Sequence, residues 1–270
     1  MIDTMQILGF LCSIFIGLCL GLIGGGGSIL TLPVLVYLLG ISPIISTSYS
    51  LFVVGITSLV GTFSYMQKHQ ISYKVALVFS IPSFLAVFLI RKYALPAIPD
   101  PIFLTDTFKL SKSVMLMVFF ASVMLFASVS MISNWKIKTS IKPTPNQLNY
   151  PMILLQGALV GVVTGIIGAG GGFLIVPTLV LLRHLPMKTA IGTSLLIIAT
   201  KSLLGFLGDL GNTPINWSFL LEFTLLAIVG IFVGSYLSQF ISGQKLKKAF
   251  GWFVMIISIG IIFKEMVLCL

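Results

Sequence analysis

The sequence predicts an all-α polytopic membrane protein made of two inverted-topology repeats, each a glycine-rich helical hairpin followed by three transmembrane helices. Three observations lead there. Of the 270 residues, 57% are hydrophobic and 8% charged, against about 25% charged in a soluble domain, so lipid must cover most of the surface. The apolar residues gather in segments, most of them near the ~20 residues that cross a bilayer. The two halves also align without a gap at an offset of 144: Gly17, Gly21, Gly24, Gly26, Gly27 and Pro33 fall on Gly161, Gly165, Gly168, Gly170, Gly171 and Pro177.

Repeat one covers 1–133. Its first apolar segment starts near Met5, after Asp3 and no Lys or Arg. A secretory leader begins with positive charge, so the segment reads as a retained membrane helix. It runs from 5 to 23 into Gly24–Gly27. The segment that follows, 29–40, is too short to span, and the two form a hairpin, 5–40. Helices 43–66, 75–95 and 113–133 complete the repeat. Residues 134–150, NWKIKTSIKPTPNQLNY, are a polar, cytoplasmic linker. Repeat two, 151–270, has its hairpin at 152–183 and helices at 188–208, 217–240 and 250–268.

Each glycine cluster either breaks one crossing helix or turns the chain back, and loop charge separates these readings. In the hairpin reading, loops 67–74, 134–150, 183–188 and 241–250 share one side. They hold Lys68, Lys74, Lys136, Lys138, Lys142, Arg183, Lys188, Lys245, Lys247 and Lys248 and no acid. The other side mixes Asp3, Asp100, Asp106, Asp209 and Glu265 with Arg91, Lys92, Lys109, Lys112 and Lys264. Short basic loops are cytoplasmic. A hairpin plus three crossings inverts the second repeat, the plan of many transporters with midplane sites at discontinuous helices. The net charge of +10 then sets orientation, and nucleic acid is not an expected partner. Cys12, Cys19 and Cys269 form no CxxC or Cys/His cluster, so no disulfide, metal or cofactor is expected.

Glycine costs about 1 kcal/mol relative to alanine inside a helix, so four in a row need a reason. Non-helical backbone at membrane depth must be buried in protein or line a cavity. Gly24, Gly25, Gly26, Gly27 and Ser28, with Gly168, Gly170, Gly171 and Gly172, read as two turns whose bare amides and following helix starts hold an anion. Gly17, Gly21, Gly161 and Gly165 read as close helix packing instead. GGGGS lacks the Lys-Ser/Thr of a phosphate-binding loop. A small or polar stripe follows each hairpin: Ser46, Ser50, Thr57, Gly61 and Ser64 match Ala190, Ser194, Lys201, Gly205 and Gly208. Ser50, Thr57, Ser194 and Lys201 join the candidate site. Lys201 either lines the anion path or snorkels toward the side of Asp209. Asp209 and Glu222 read as solvated helix-end charges, with a coupled proton as their other use. His69 and His184 read as interfacial.

The doubled GxxxGxxGxGG…P pattern at 17–33 and 161–177, with AIGTSLL at 190–196, resembles the TauE/SafE sulfite exporter family over essentially the whole chain. The resemblance implies a multi-pass permease of the plasma (inner) membrane, exporting sulfite, organosulfonates and related anions, with protons as the coupling ion. It also brings Thr193 of the Gly-Thr-Ser motif into the substrate-binding set. Repeat one lacks that motif at Thr47-Ser48-Tyr49-Ser50, so the two halves of the site are expected to differ. An uncoupled anion channel using the same turns is the alternative. An enzyme is not expected, because no HExxH or nucleophile–base pair is present.

Overall fold

The computed structural model describes residues 4–99, 103–105, 108–133, 150–183, 185–211, 213–238, 240 and 243–269. The linker, apart from Tyr150, and His184 lie outside them. The first half of the chain contributes α1 (Thr4–Ile23), α2 (Ser28–Leu38), α3 (Pro43–Gln67), α4 (Tyr73–Ala97) and α5 (Lys112–Ile132). The second half contributes α6 (Tyr150–Ile167), α7 (Gly172–Arg183), α8 (Met187–Asp209), α9 (Trp217–Leu237) and α10 (Gly243–Cys269). Among the described residues, α1, α3, α4, α5, α8 and α9 are long and apolar enough to cross a membrane, while α2 and Pro151–Ile167 of α6 are shorter apolar helices. Large apolar side chains such as Phe63, Leu77, Phe126, Leu225 and Phe263 stand exposed, the outward face expected of a helix bundle whose solvent is lipid.

One departure from an all-helical chain is local. Phe103–Thr105 (β1) and Phe108–Leu110 (β2) pair antiparallel between α4 and α5. Pro99 has no N–H to donate and cannot continue the helix, and β1 and β2 follow it. Two helices also carry π turns, Val34–Leu38 in α2 and Ile90–Ala94 in α4. The first follows Pro33, which has no N–H to donate. The second carries Arg91.

Contacts at the glycines follow the offset of 144. A Cβ on Gly17 would strike the Ala227 carbonyl, and one on Gly161 the equivalent Ser83 carbonyl. Gly61 meets Ile231 and Leu195, while Gly205 meets their equivalents Val87 and Leu51. Gly24 meets Ile191, and Gly168 meets Thr47. So α1 packs on α9 as α6 packs on α4, through backbone-to-backbone approaches that any side chain would block. The packing reading of Gly17, Gly21 and Gly161 fits these distances. α3 and α8 occupy the centre and run antiparallel: Gly55 faces Leu203, Gly61 faces Leu195 and Gly205 faces Leu51. α5 and α10 pack on each other at the side.

Candidate anion site between the glycine turns

α1 ends at Ile23 and α6 at Ile167, and each chain then turns through glycine. Gly24 (φ 75°) and Gly168 (φ 73°) open the turns in the left-handed region, and Gly170 and Gly171 share it. Glycine adopts that backbone without the steric penalty of a Cβ. The two turns meet. A Cβ on Gly25 would lie 2.4 Å from Gly172 backbone carbons, and one on Gly172 would lie 2.3 Å from Gly25 Cα. Gly170 lies against Val54 and Ile198 and Gly172 against Ile198, at the mid-length of α3 and α8. The whole region is buried.

The bare amides are not quite where the sequence put them. The N–H groups of Ser28, Ile29 and Leu30 donate to the carbonyls of Gly25, Gly26 and Gly27 at 3.3, 3.2 and 3.1 Å. The start of α2 is therefore closed on itself by i→i+3 bonds, and the Ser28 hydroxyl also donates to the Gly25 carbonyl at 2.7 Å. Among the described residues, the amides without a backbone acceptor are those of Gly25, Gly26 and Gly27 in the first turn and Ala169, Gly170, Gly172 and Phe173 in the second.

Lys201 reaches the second turn. It is 1% exposed, and its Nζ donates to Thr164 Oγ1 at 3.0 Å. A Cβ on Gly171 would lie 2.9 Å from that Nζ. The ammonium faces glycine backbone rather than the outer loop, and no acid pairs with it among the described residues. At the equivalent position, Thr57 Oγ1 donates back to the Val53 carbonyl of its own helix at 2.6 Å. The polar stripe is therefore charged in one half only.

The other stripe residues divide. Ser194 Oγ donates to the Gly24 carbonyl at 2.6 Å and so touches the first turn. Ser50 is fully buried with no partner for its hydroxyl among the described residues. Thr193 is not brought to the turns: its Oγ1 accepts the Ser72 N–H at 3.0 Å, tying α8 to the start of α4.

The reading of Asp209 as a solvated end charge is corrected. Asp209 is 3% exposed and Arg91 1%. Arg91 Nη1 donates to Asp209 Oδ2 at 3.1 Å and to Thr47 Oγ1 at 2.9 Å, and Ser48 Oγ donates to the same carboxylate oxygen at 2.6 Å. Sequence reasoning missed this pair, because Arg91 and Asp209 are 118 residues apart and each lies near a helix end. Glu222, by contrast, is exposed and lines an outer groove with Gln6, Tyr49 and Asn216. His69 is exposed and Lys68 beside it likewise.

Broken apolar helices meeting tip to tip, with a buried cation over one tip, define the class as a polytopic membrane protein with discontinuous helices around a polar centre. The family follows. The model of the family described as "Sulfite exporter TauE/SafE" matches residues 9–261, and the chain belongs to that family. It is 28% identical over 254 residues to a "Probable membrane transporter protein" of Xylella fastidiosa (strain Temecula1), covering 93% of this chain and 92% of that one. It is 28% identical over 233 residues to the "Probable membrane transporter protein YunE" of Bacillus subtilis (strain 168), covering 79% and 83%. No solved structure matches.

Proposed function

We infer that this chain is a secondary transporter of small sulfur-containing anions, sulfite first among them, exporting across the plasma membrane with the anion held at the second glycine turn. One observation carries the reading: Lys201 Nζ is buried against Gly171 with only Thr164 as its hydrogen-bond partner among the described residues. A bound anion would offset the cost of burying that ammonium, and the amides of Ala169, Gly170, Gly172 and Phe173, which have no backbone acceptor among the described residues, are the candidate donors. Oxyanions suit such a nest of N–H groups. The name of the family and the names of the relatives support transport and sulfite in particular.

The antiparallel α3–α8 contact between equivalent helices, with the paired contacts on either side, supports an inverted relation of the two repeats. A two-fold axis that exchanges antiparallel spanning helices lies in the membrane plane, which puts the turns near the midplane. The basic loops at 67–74 and 183–188 are then cytoplasmic. Alternating access by rocking one repeat against the other about this site follows from that arrangement.

The test is reconstitution. Purified protein in liposomes should take up sulfite with saturation and counterflow, and sulfate, thiosulfate and taurine in the same assay rank the substrate class. Absence of flux for every sulfur oxyanion would remove the reading, and non-saturating flux without counterflow would make the protein a channel.

A further inference from the structure

The second glycine turn has a cation at each end. Lys201 sits over Gly171, and Arg91 sits over Gly168, where a Cβ would lie 2.0 Å from Nη2. The Arg91 side chain is fully buried and stands in the π turn of α4, a helix irregularity often found at functional positions. Its guanidinium is only half used. Nη1 holds Asp209 and Thr47, while Nε and Nη2 have no partner among the described residues. Arginine and carboxylate normally meet as a two-bond fork. Here a single nitrogen serves Asp209, and Nη2 is left against Gly168, at the start of the turn whose Ala169 and Gly170 amides have no backbone acceptor among the described residues. The Nε–Nη2 edge has the geometry for an anion offering two oxygens from one centre. The equivalents of Arg91 and Asp209 in the other half are Ser235 and Tyr65, both neutral, and the Tyr65 hydroxyl donates to the Gly21 carbonyl at 2.9 Å.

We propose that Arg91 is a second anion station, masked by Asp209: a sulfur oxyanion that leaves Lys201 binds the Nε–Nη2 edge of Arg91 and takes over the charge that Asp209 now balances. The order of stations rests on the transport reading, whereas binding at Arg91 does not. Ser48 and Thr47 hold the mask closed, Ser48 on the carboxylate and Thr47 on the guanidinium. An arriving anion competes with Asp209, so the outer end of the path opens when it is loaded.

Sulfite titrated calorimetrically into the purified full-length protein tests this. Asp209→Asn keeps the shape and removes the competing charge, and it should tighten sulfite binding by about fivefold or more. The gain should vanish in Asp209→Asn with Arg91→Gln. It should persist on a Lys201→Met background, which separates this station from the one at Lys201. Unchanged affinity in Asp209→Asn, or a gain that survives loss of Arg91, would overturn the proposal. Ser48→Ala only loosens the mask, so it is the variant to read if Asp209→Asn does not fold. It should shift affinity in the same direction by less, and no shift there overturns the proposal equally. If wild type binds no sulfite and Asp209→Asn does, the Lys201 site is lost and the Arg91 station stands.

Discussion

Gly25 and Gly172 are where the two glycine turns touch, and replacing either by alanine is the sharpest test of that contact. The added Cβ on Gly25 would sit 2.4 Å from the Cα and carbonyl carbon of Gly172. Carbon atoms rest at about 3.5–4.0 Å, so the turns must part by more than about 1 Å. Overpacking a core costs about 1–3 kcal/mol when side chains can yield. Here backbone meets backbone, so Gly25→Ala should cost about 3 kcal/mol or more. At about 2–4 °C per kcal/mol, the midpoint of thermal unfolding in detergent should fall by roughly 6–12 °C. Gly260 is the control. It is exposed on α10 with no atom within 4 Å of a Cβ, so Gly260→Ala should gain up to about 1 kcal/mol of helix propensity. A Gly25→Ala protein within about 2 °C of wild type would refute direct contact between the turns.

The buried ion pair makes a second forecast. Arg91→Met or Asp209→Leu alone should destabilise by about 3–5 kcal/mol, because each strands a buried charge, while the double variant should recover much of the loss; unfolding midpoints of the three proteins check it. Orientation is a third. Cysteines replacing Lys68 and Lys188 should react with an impermeant thiol reagent only from the cytoplasmic side. Because Asp209 is buried, the probe for the opposite side belongs at exposed Leu210, and labelling of 188 and 210 from one side would contradict the hairpin topology. Tyr65→Phe removes bonds to the Gly21 carbonyl and Ser238 Oγ and should cost about 1 kcal/mol, read in the same unfolding assay.

Much of this architecture is written in local chemistry. Low charge and segment length expose the membrane helices, and the Gly and Pro spacing that recurs at an offset of 144 is equally visible, because both patterns are independent of how helices pack. The glycine turns are legible for the same reason: Gly24 and Gly168 need a backbone that other residues resist. What the sequence conceals is pairing across long separation. Arg91 and Asp209 look like ordinary end charges until α4 and α8 come together. The bond from the Ser72 N–H to the Thr193 hydroxyl is equally invisible along the chain. The free amides likewise move by a few residues, since i→i+3 bonds at Gly25–Gly27 consume those at the start of α2. Lys201 was ambiguous along the chain because depth alone does not fix direction. Its contact with Gly171 supplies the direction.

Affinity for sulfite in a folded Lys201→Met protein tests the central claim most directly. Methionine keeps much of the apolar stem and removes the charge over Gly171. A hydrogen bond to a charged group contributes about 1.5–3 kcal/mol, so the dissociation constant should rise by roughly ten- to a hundredfold. Thr57→Val, at the equivalent but neutral position, should change it far less, and Lys201→Arg should retain part of the binding. Wild-type affinity in well-folded Lys201→Met would contradict the account, because an anion held at the second glycine turn cannot be indifferent to the ammonium that faces Gly171.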